Sequence, residues 1–249
     1  MSSTKILFLD IETAPNVAYV WGLFDQNISP NQVKSSSYVL CWSAKWHGRA
    51  KMEFCSVQRH TSRAMLASIH RLLDEADIVV HFNGIKFDIP TLNKEFVKHD
   101  MLPPSPYKQI DMLRICRQAF RFESNKLESV SFQLGIGKKV KHYGFELWTD
   151  CMDGKQEAWR IMERYNRMDV TILERLYHRL LPWITKHPII IPPHVGLTCP
   201  KCGSNDTQLR GSNITRTAIY ARHQCQKCGG WFRSSKPTVR LRDEHGVNA

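Results

Sequence analysis

The chain has 249 residues, 42% of them hydrophobic and 23% charged, which suffices to bury a core and excludes collagenous, coiled-coil and disordered compositions. Its 35 Lys and Arg against 23 Asp and Glu leave a net charge of +12, which favours a polyanionic partner without identifying one. No apolar run approaches the roughly 18 to 20 residues that cross a bilayer, and the opening MSSTKILFLDIE meets an acid too early for a secretion signal, so a cytoplasmic protein with no membrane partner is expected.

Residues 5–12 read as a buried-type strand, and residues 37–46 with 51–57 as a hairpin turning at His47 and Gly48. A helix follows over 62–75, then a short β-branched strand over 78–82 ahead of Asn83-Gly84. Pro90 suits a first helical turn, which places Asp88 at or near a helix N-terminus. Helices are predicted over 111–120 and 126–134. A long helix starts after Asp153-Gly154, with Asp153 and Gln156 spaced like a capping box, and runs to about Leu181. This order of strands and helices is an α/β layer pattern.

The three prolines of HPIIIPPH, 187–194, remove backbone donors and disfavour helix, so an extended linker is placed over 186–196 between a large module, 1–185, and a smaller one. Residues 186–249 hold 10 Lys and Arg against 3 Asp and Glu, leaving 25 against 20 for the rest, so the small module carries most of the excess charge. Within it, 197–234 forms the cysteine-bearing unit, and 235–249 is expected to be a flexible basic tail.

Alternation along the first strand sends Asp10 and Glu12 to one face. Charge inside such an apolar strand is costly unless a cation or hydrogen-bond donors offset it, although acids also end strands without any function. Two further features bear on the choice. Asp88 follows the turn NGIKF, and Tyr165 and Asp169, four apart, share a face of the long helix otherwise lined by Ile172, Leu173, Leu176 and Leu180.

With LDIET (Asp10, Glu12), FNGIKFD (Asn83, Phe87, Asp88) and YNRMD (Tyr165, Asp169) in this order, residues 5–182 resemble the DEDD superfamily of 3′–5′ exonucleases, which have a ribonuclease H-like fold: a mixed sheet flanked by helices. The resemblance is to the branch related to the proofreading domains of family B polymerases. A tyrosine four residues before the last aspartate marks that branch, and Arg164 stands where the other branch has histidine.

The resemblance implies that Asp10, Glu12, Asp88 and Asp169 hold two catalytic Mg²⁺ or Mn²⁺ ions and that the Tyr165 hydroxyl orients the attacking water. Carboxylates suit these hard cations, and an ion pair about 4 Å apart can stabilise both the attacking and leaving oxygens of an in-line displacement. Asn83 and Phe87 then fall where a terminal nucleotide would be bound, although Asn83 also suits a turn and Phe87 a core. Asp111 fits a helix cap as well as a supporting role. Tyr19, Trp21 and Phe24 in the long stretch after the first motif can stack bases, but packing of that loop on itself is the expectation. Arg160, Arg164 and Arg167 lie near the third motif, with their direction open.

Cys199, Cys202, Cys225 and Cys228 form two CxxC pairs separated by 22 residues, each followed by Gly, the spacing of a closed Cys₄ site for one structural Zn²⁺. The segments 207–210, 215–220 and Trp231-Phe232 read as the strands of a zinc ribbon. So small a unit buries little core and would depend on the metal to fold. Arg210, Arg216, Arg222, Arg233, Lys236, Arg240 and Arg242, interleaved with Tyr220, Trp231 and Phe232, suit phosphate contacts and base stacking. Cys41, Cys55, Cys116 and Cys151 show no ligand spacing and read as buried thiols.

The leading functional expectation is a two-metal-ion 3′–5′ exonuclease acting on single-stranded or partly duplex nucleic acid, DNA before RNA, with a ribbon that assists binding. A structure-selective endonuclease or RNase on the same centre, and a catalytically silent nucleic-acid-binding adaptor, are the alternatives. A replication or repair protein partner is compatible with either and is not identified.

Overall fold

The near-unbroken apolar run of β1 (Ile6–Thr13) is buried on both faces, as it must be at the centre of a sheet. The computed structural model describes residues 4–138, 140–190 and 197–240. A short pair, β2 (Val17–Ala18) and β3 (Val33–Ser35), follows β1, and then come β4 (Val39–Trp46) and β5 (Met52–Ser56), the expected hairpin. Next are α1 (Ser62–Glu75), β6 (Ile78–His81), α2 (Asp88–Lys98), β7 (Lys108–Asp111) and α3 (Met112–Ala119). The unit closes with α4 (Leu127–Gln133), α5 (Glu146–Met152) and α6 (Gln156–Leu180).

The sheet order is β5-β4-β1-β6-β7, antiparallel on the β4 side of β1 and parallel on the β6 side. Alternation along β1 sends Leu7, Leu9 and Ile11 into a core shared with Met65, Leu66 and Ile69 of α1 and with Leu92 and Phe96 of α2. The opposite face is covered by α5 and α6, where Leu147, Cys151, Trp159 and Met162 meet Leu40 and Cys41 of β4. Asp10 and Glu12 lie on this second face, paired across the ladder with Ser43 and Cys41. This is the mixed sheet flanked by helices expected for a ribonuclease H-like fold.

Three local expectations need correction. β7 and α5 were not anticipated, because KQID has one apolar residue and becomes a strand only by pairing with β6. Asp153 does not open α6 with a capping box: it is the C-cap of α5, and the Gln156 side-chain oxygen accepts from Gln58 Nε2 at 2.8 Å. The loop between β2 and β3 does not pack on itself, for Tyr19, Trp21 and Phe24 are 68%, 99% and 82% exposed. It is tied instead by polar bonds, with Gln32 and Tyr19 exchanging backbone and amide contacts near 3.0 Å.

The chain divides into two compact units at His178/Arg179, slightly before the expected boundary at 185. Thr4 belongs with the second, its hydroxyl donating to the Ile190 carbonyl. In that unit β8 (Thr207–Ile214), β9 (Ala218–Cys225) and β10 (Trp231–Arg240) form an antiparallel sheet in the order β10-β9-β8. Residues 215–217, expected in a strand, make the β8–β9 turn, where Thr215 N–H donates to the Ala218 carbonyl at 2.9 Å.

The expected flexible tail from 235 is also corrected, because β10 runs to Arg240 and pairs Pro237, Val239 and Arg240 with Tyr220, Ile219 and Ala218. Pro237 is tolerated since β10 is an edge strand with a register shift on either side of it. The expectations for 191–196 of the linker and 241–249 of the tail lie outside the described residues. No helix among the described residues is long and apolar enough to cross a membrane.

Candidate functional site

A cavity of about 680 Å³ opens on the α6 side of β1, and all seven site residues expected from sequence line it: Asp10, Glu12, Asn83, Phe87, Asp88, Tyr165 and Asp169. Asp10 and Glu12 come from one face of β1, Tyr165 and Asp169 from one face of α6, and Asp88 from the first residue of α2. Carboxylate oxygens of Asp10, Glu12 and Asp169 lie within 4.8 Å of one another. Asp88 lines the same cavity outside that cluster. Its carboxyl is buried and Oδ1 accepts the Ile11 N–H at 3.2 Å.

Burial dominates the electrostatics of Asp88, pushing its pKa from 3.8 up to about 7 against the opposing pull of the Ile11 N–H, with the nearby Asp111 charge raising it further. A neutral Asp88 carboxyl and an ionised one are therefore close in energy near pH 7. A divalent cation beside it would favour the ionised form. The donor set fits such an ion: three clustered carboxylates and a fourth in the same cavity, all hard oxygen ligands.

The second motif is built by its backbone. Asn83 adopts the left-handed conformation, φ 69°, which Asn tolerates better than most side chains, so it does supply the turn. Gly84 is required for space: a Cβ there would lie 2.3 Å from Cγ of His81. Gly84 N–H donates to His81 Nδ1 at 3.0 Å, so the buried ring carries its proton on Nε2 and donates to Gln109 Oε1, also at 3.0 Å. Desolvation lowers the His81 pKa, in keeping with this neutral tautomer.

Asp111 stabilises the turn from below, accepting from the N–H groups of Asn83 at 2.9 Å and Leu113 at 3.0 Å. It is thus both the cap of α3 and a brace for the second motif. Phe87 is 43% exposed at the cavity edge and takes no part in the core.

Five contributors were not assigned from sequence. Asn166, fully buried, donates Nδ2 to Asp10 Oδ2 at 2.7 Å and lies beside Tyr165 in the YNRMD motif, the one signal that pointed to it. Trp148 of α5 donates Nε1 to Glu12 Oε2 at 3.1 Å. His142 stands edge-on to the Tyr165 ring at 5.0 Å and to Trp148 at 5.2 Å, walling the tyrosine in. Lys126, just before α4, and Lys141, within the basic GKKVKH stretch, bring positive charge to the cavity lining.

The helix arginines do not line the cavity. Arg167 bonds Glu163 and the Met52 carbonyl, and Arg160 bonds Glu157. The four scattered cysteines are free and buried, with pKa raised foremost by desolvation, reaching about 11 for Cys116 and about 12 for Cys151, so all four are neutral thiols.

In the second unit the four expected zinc ligands gather in one cluster, with Sγ–Sγ separations of 3.7 Å for Cys199–Cys228 and 3.6 Å for Cys202–Cys225. A tetrahedron of thiolates with Zn–S near 2.3 Å requires an edge of about 3.8 Å, whereas a disulfide requires about 2.05 Å. The two knuckles repeat the same turn. Gly203 and Gly229, at φ 72° and 73°, donate their N–H groups to the Cys199 and Cys225 carbonyls at 2.8 and 2.9 Å. The cluster therefore fits one structural Zn²⁺.

A family model described as the RNase_H superfamily matches residues 7–181. No curated protein matches the chain. Among solved structures, the family B DNA polymerase of the hyperthermophilic archaeon Pyrobaculum calidifontis is similar, with a TM-score of 0.56 and 17% identity over 73% of this chain. The match covers 25% of the polymerase, so the likeness is one of fold over a quarter of that protein.

Proposed function

Since the chain belongs to the RNase H superfamily, we propose that it is a two-metal-ion-dependent 3′–5′ exonuclease that hydrolyses terminal phosphodiester bonds of single-stranded or partly duplex nucleic acid, DNA in preference to RNA. The observation that carries the reading is the convergence of Asp10, Glu12 and Asp169 within 4.8 Å on a cavity that Asp88 and Tyr165 also line.

In this reading Asp10, Glu12, Asp88 and Asp169 hold two Mg²⁺ or Mn²⁺ ions. When bound, the ions supply charge stabilisation to the attacking and leaving oxygens of an in-line displacement. Asn166 and Trp148 fix the carboxylates of Asp10 and Glu12, so their oxygens need little reorganisation on loading. Tyr165, held by the rings of His142 and Trp148, orients the water by its hydroxyl. Its ring contacts to His142 and Trp148 lie at 5.0 and 6.0 Å. Phe87 offers an exposed ring to the terminal base, Asn83 a polar side chain to the terminal nucleotide, and Lys126 and Lys141 attract the phosphates behind it. The ribbon, with one structural Zn²⁺, assists by gripping the same nucleic acid.

The test is a time course with 5′-labelled DNA and RNA oligonucleotides in Mg²⁺ or Mn²⁺, beside Asp88→Ala and a circular single strand. The expected result is a ladder shortening from the 3′ end, stronger on DNA, absent for Asp88→Ala and absent on the circle. Cutting of the circle would replace the exonuclease with an endonuclease. Binding without cleavage would reduce the chain to an adaptor.

A further inference from the structure

Within the ribbon, residues 197–240 contain eight Lys and Arg and a single acid, Asp206. The register decides where that charge goes. Arg222 of β9 pairs directly with Arg233 of β10, and alternation puts Tyr220 and Trp231 on the same face. The four side chains interlock diagonally, with the Arg222 guanidinium 5.4 Å from the Trp231 ring centre and that of Arg233 4.0 Å from the Tyr220 ring centre. The opposite face buries His223, stacked on Phe232 at 5.5 Å.

Like charges directly opposed destabilise a sheet, and neither guanidinium forms an ion pair among the described residues. Arg222 is pinned by donating Nε to the Arg210 carbonyl at 2.9 Å. Trp231 is 47% exposed. Arg222, Trp231 and Arg233 also line, with Lys201 and Asn213, a cavity of about 340 Å³ within this unit. An apolar partner would not reward two guanidinium groups, and an acidic peptide would not use the aromatic faces. A strand of nucleic acid uses both, with phosphates on the cations and a base on an exposed indole. A duplex keeps its base faces stacked inside and cannot offer one.

We infer that the Tyr220–Arg222–Trp231–Arg233 face of the ribbon is a single-strand-selective nucleic-acid site that stacks one base on Trp231 and holds adjacent phosphates at Arg222 and Arg233. The inference rests on the nuclease reading for the class of its ligand, and it assigns the grip to a defined face and to unpaired strands.

The experiment uses the full, zinc-loaded chain carrying Asp169→Asn to prevent hydrolysis, with fluorescence anisotropy on a labelled oligothymidylate of about twenty nucleotides, longer than one binding site. A backbone-matched abasic oligomer and a duplex are run beside it across a range of salt. Trp231→Ala is expected to weaken oligothymidylate binding about tenfold, leave abasic binding unchanged and be restored by Trp231→Tyr, as loss of one stacked base requires. Arg222→Gln with Arg233→Gln is expected to weaken both oligomers and to lower the salt slope by about 1.4, or 0.7 per lost phosphate contact on a single strand. Zinc content of one per chain in each variant excludes misfolding.

Parent-like binding by both the Trp231 and the double arginine variant would overturn the inference and assign the face to a protein partner, as would duplex binding as tight as single-strand binding. A wild-type chain that shows the predicted binding pattern but fails to hydrolyse in Mg²⁺ would sink the nuclease reading alone.

Discussion

Asn166 donates its side-chain amide to Asp10 Oδ2 at 2.7 Å from the residue next to Tyr165 on α6, so the helix that carries one expected water-positioning group also fixes the first carboxylate of β1. The bond is made to a carboxyl oxygen and is fully buried at the Asn166 end. Removing it should release the Asp10 carboxylate. Asn166→Ala is expected to lower hydrolysis by about ten- to a hundredfold, with a matching rise in the Mg²⁺ concentration needed for half-maximal rate, as for other residues that orient a metal ligand. A titration of rate against Mg²⁺ checks this, and an unchanged half-maximal concentration would remove Asn166 from the site.

Trp148→Phe keeps the ring that packs near His142 and Tyr165 but deletes the N–H that reaches Glu12. The expected loss is smaller than for Asn166, about tenfold in activity, with thermal stability lowered by about 1 kcal/mol or less. Parallel rate and melting measurements separate the two effects.

Gly84→Ala tests whether the second motif is set by space. The new methyl group would sit 2.3 Å from His81 Cγ, and His81 is buried with both ring nitrogens engaged. Overpacking of this kind costs about 1 to 3 kcal/mol. Both melting temperature and activity should fall, because the displaced turn carries Asn83, Phe87 and Asp88. Asn83→Gly, which keeps the positive φ accessible, should leave stability within about 0.5 kcal/mol and so isolate any contribution of the Asn83 side chain to substrate binding.

Burial of Asp88, by raising its pKa, is expected to make stability fall as pH rises. Its pKa is raised in the folded state from 3.8 to about 7, so the folded chain binds more protons than the unfolded one over that interval. The contribution from this group is fully present below about pH 4 and is lost as pH rises through about 7. Without Mg²⁺, melting temperature relative to Asp88→Asn should therefore decline between about pH 4 and 7. Adding Mg²⁺ should flatten the difference, since a cation favours the ionised carboxylate. Paired melting curves across pH check the sign, and a difference that grows with pH would be incompatible with a desolvated Asp88.

The ribbon should stand or fall with its metal. Its described strands bury few large apolar side chains, and structural zinc in small modules contributes about 10 kcal/mol or more to folding. One zinc per chain is expected by metal analysis. Cys202→Ser, or a strong chelator, should expose β8 to β10 to protease while Lys5–His178 stays resistant. A zinc-free ribbon that resists protease would contradict the metal assignment.

Much of this protein was legible locally. Period-two alternation puts Asp10 and Glu12 on one face, four-residue spacing does the same for Tyr165 and Asp169, and the CxxC pairs with their glycines define both knuckles. Each relation needs only a few consecutive residues and the geometry of one element, so it can be read without the fold. What the tertiary structure decided lies far apart in the chain. Asn166 meets Asp10 across 156 residues and Trp148 meets Glu12 across 136, and nothing in either segment marks its partner. β7 exists because β6 offers a parallel edge, and the tail became a strand because β9 had an unpaired side. The ribbon arginines were visible as a count, but only the pairing of β9 with β10 set two of them face to face beside Trp231. Side-chain period is a property of one segment. Register and burial are properties of two, and only folding brings the two together.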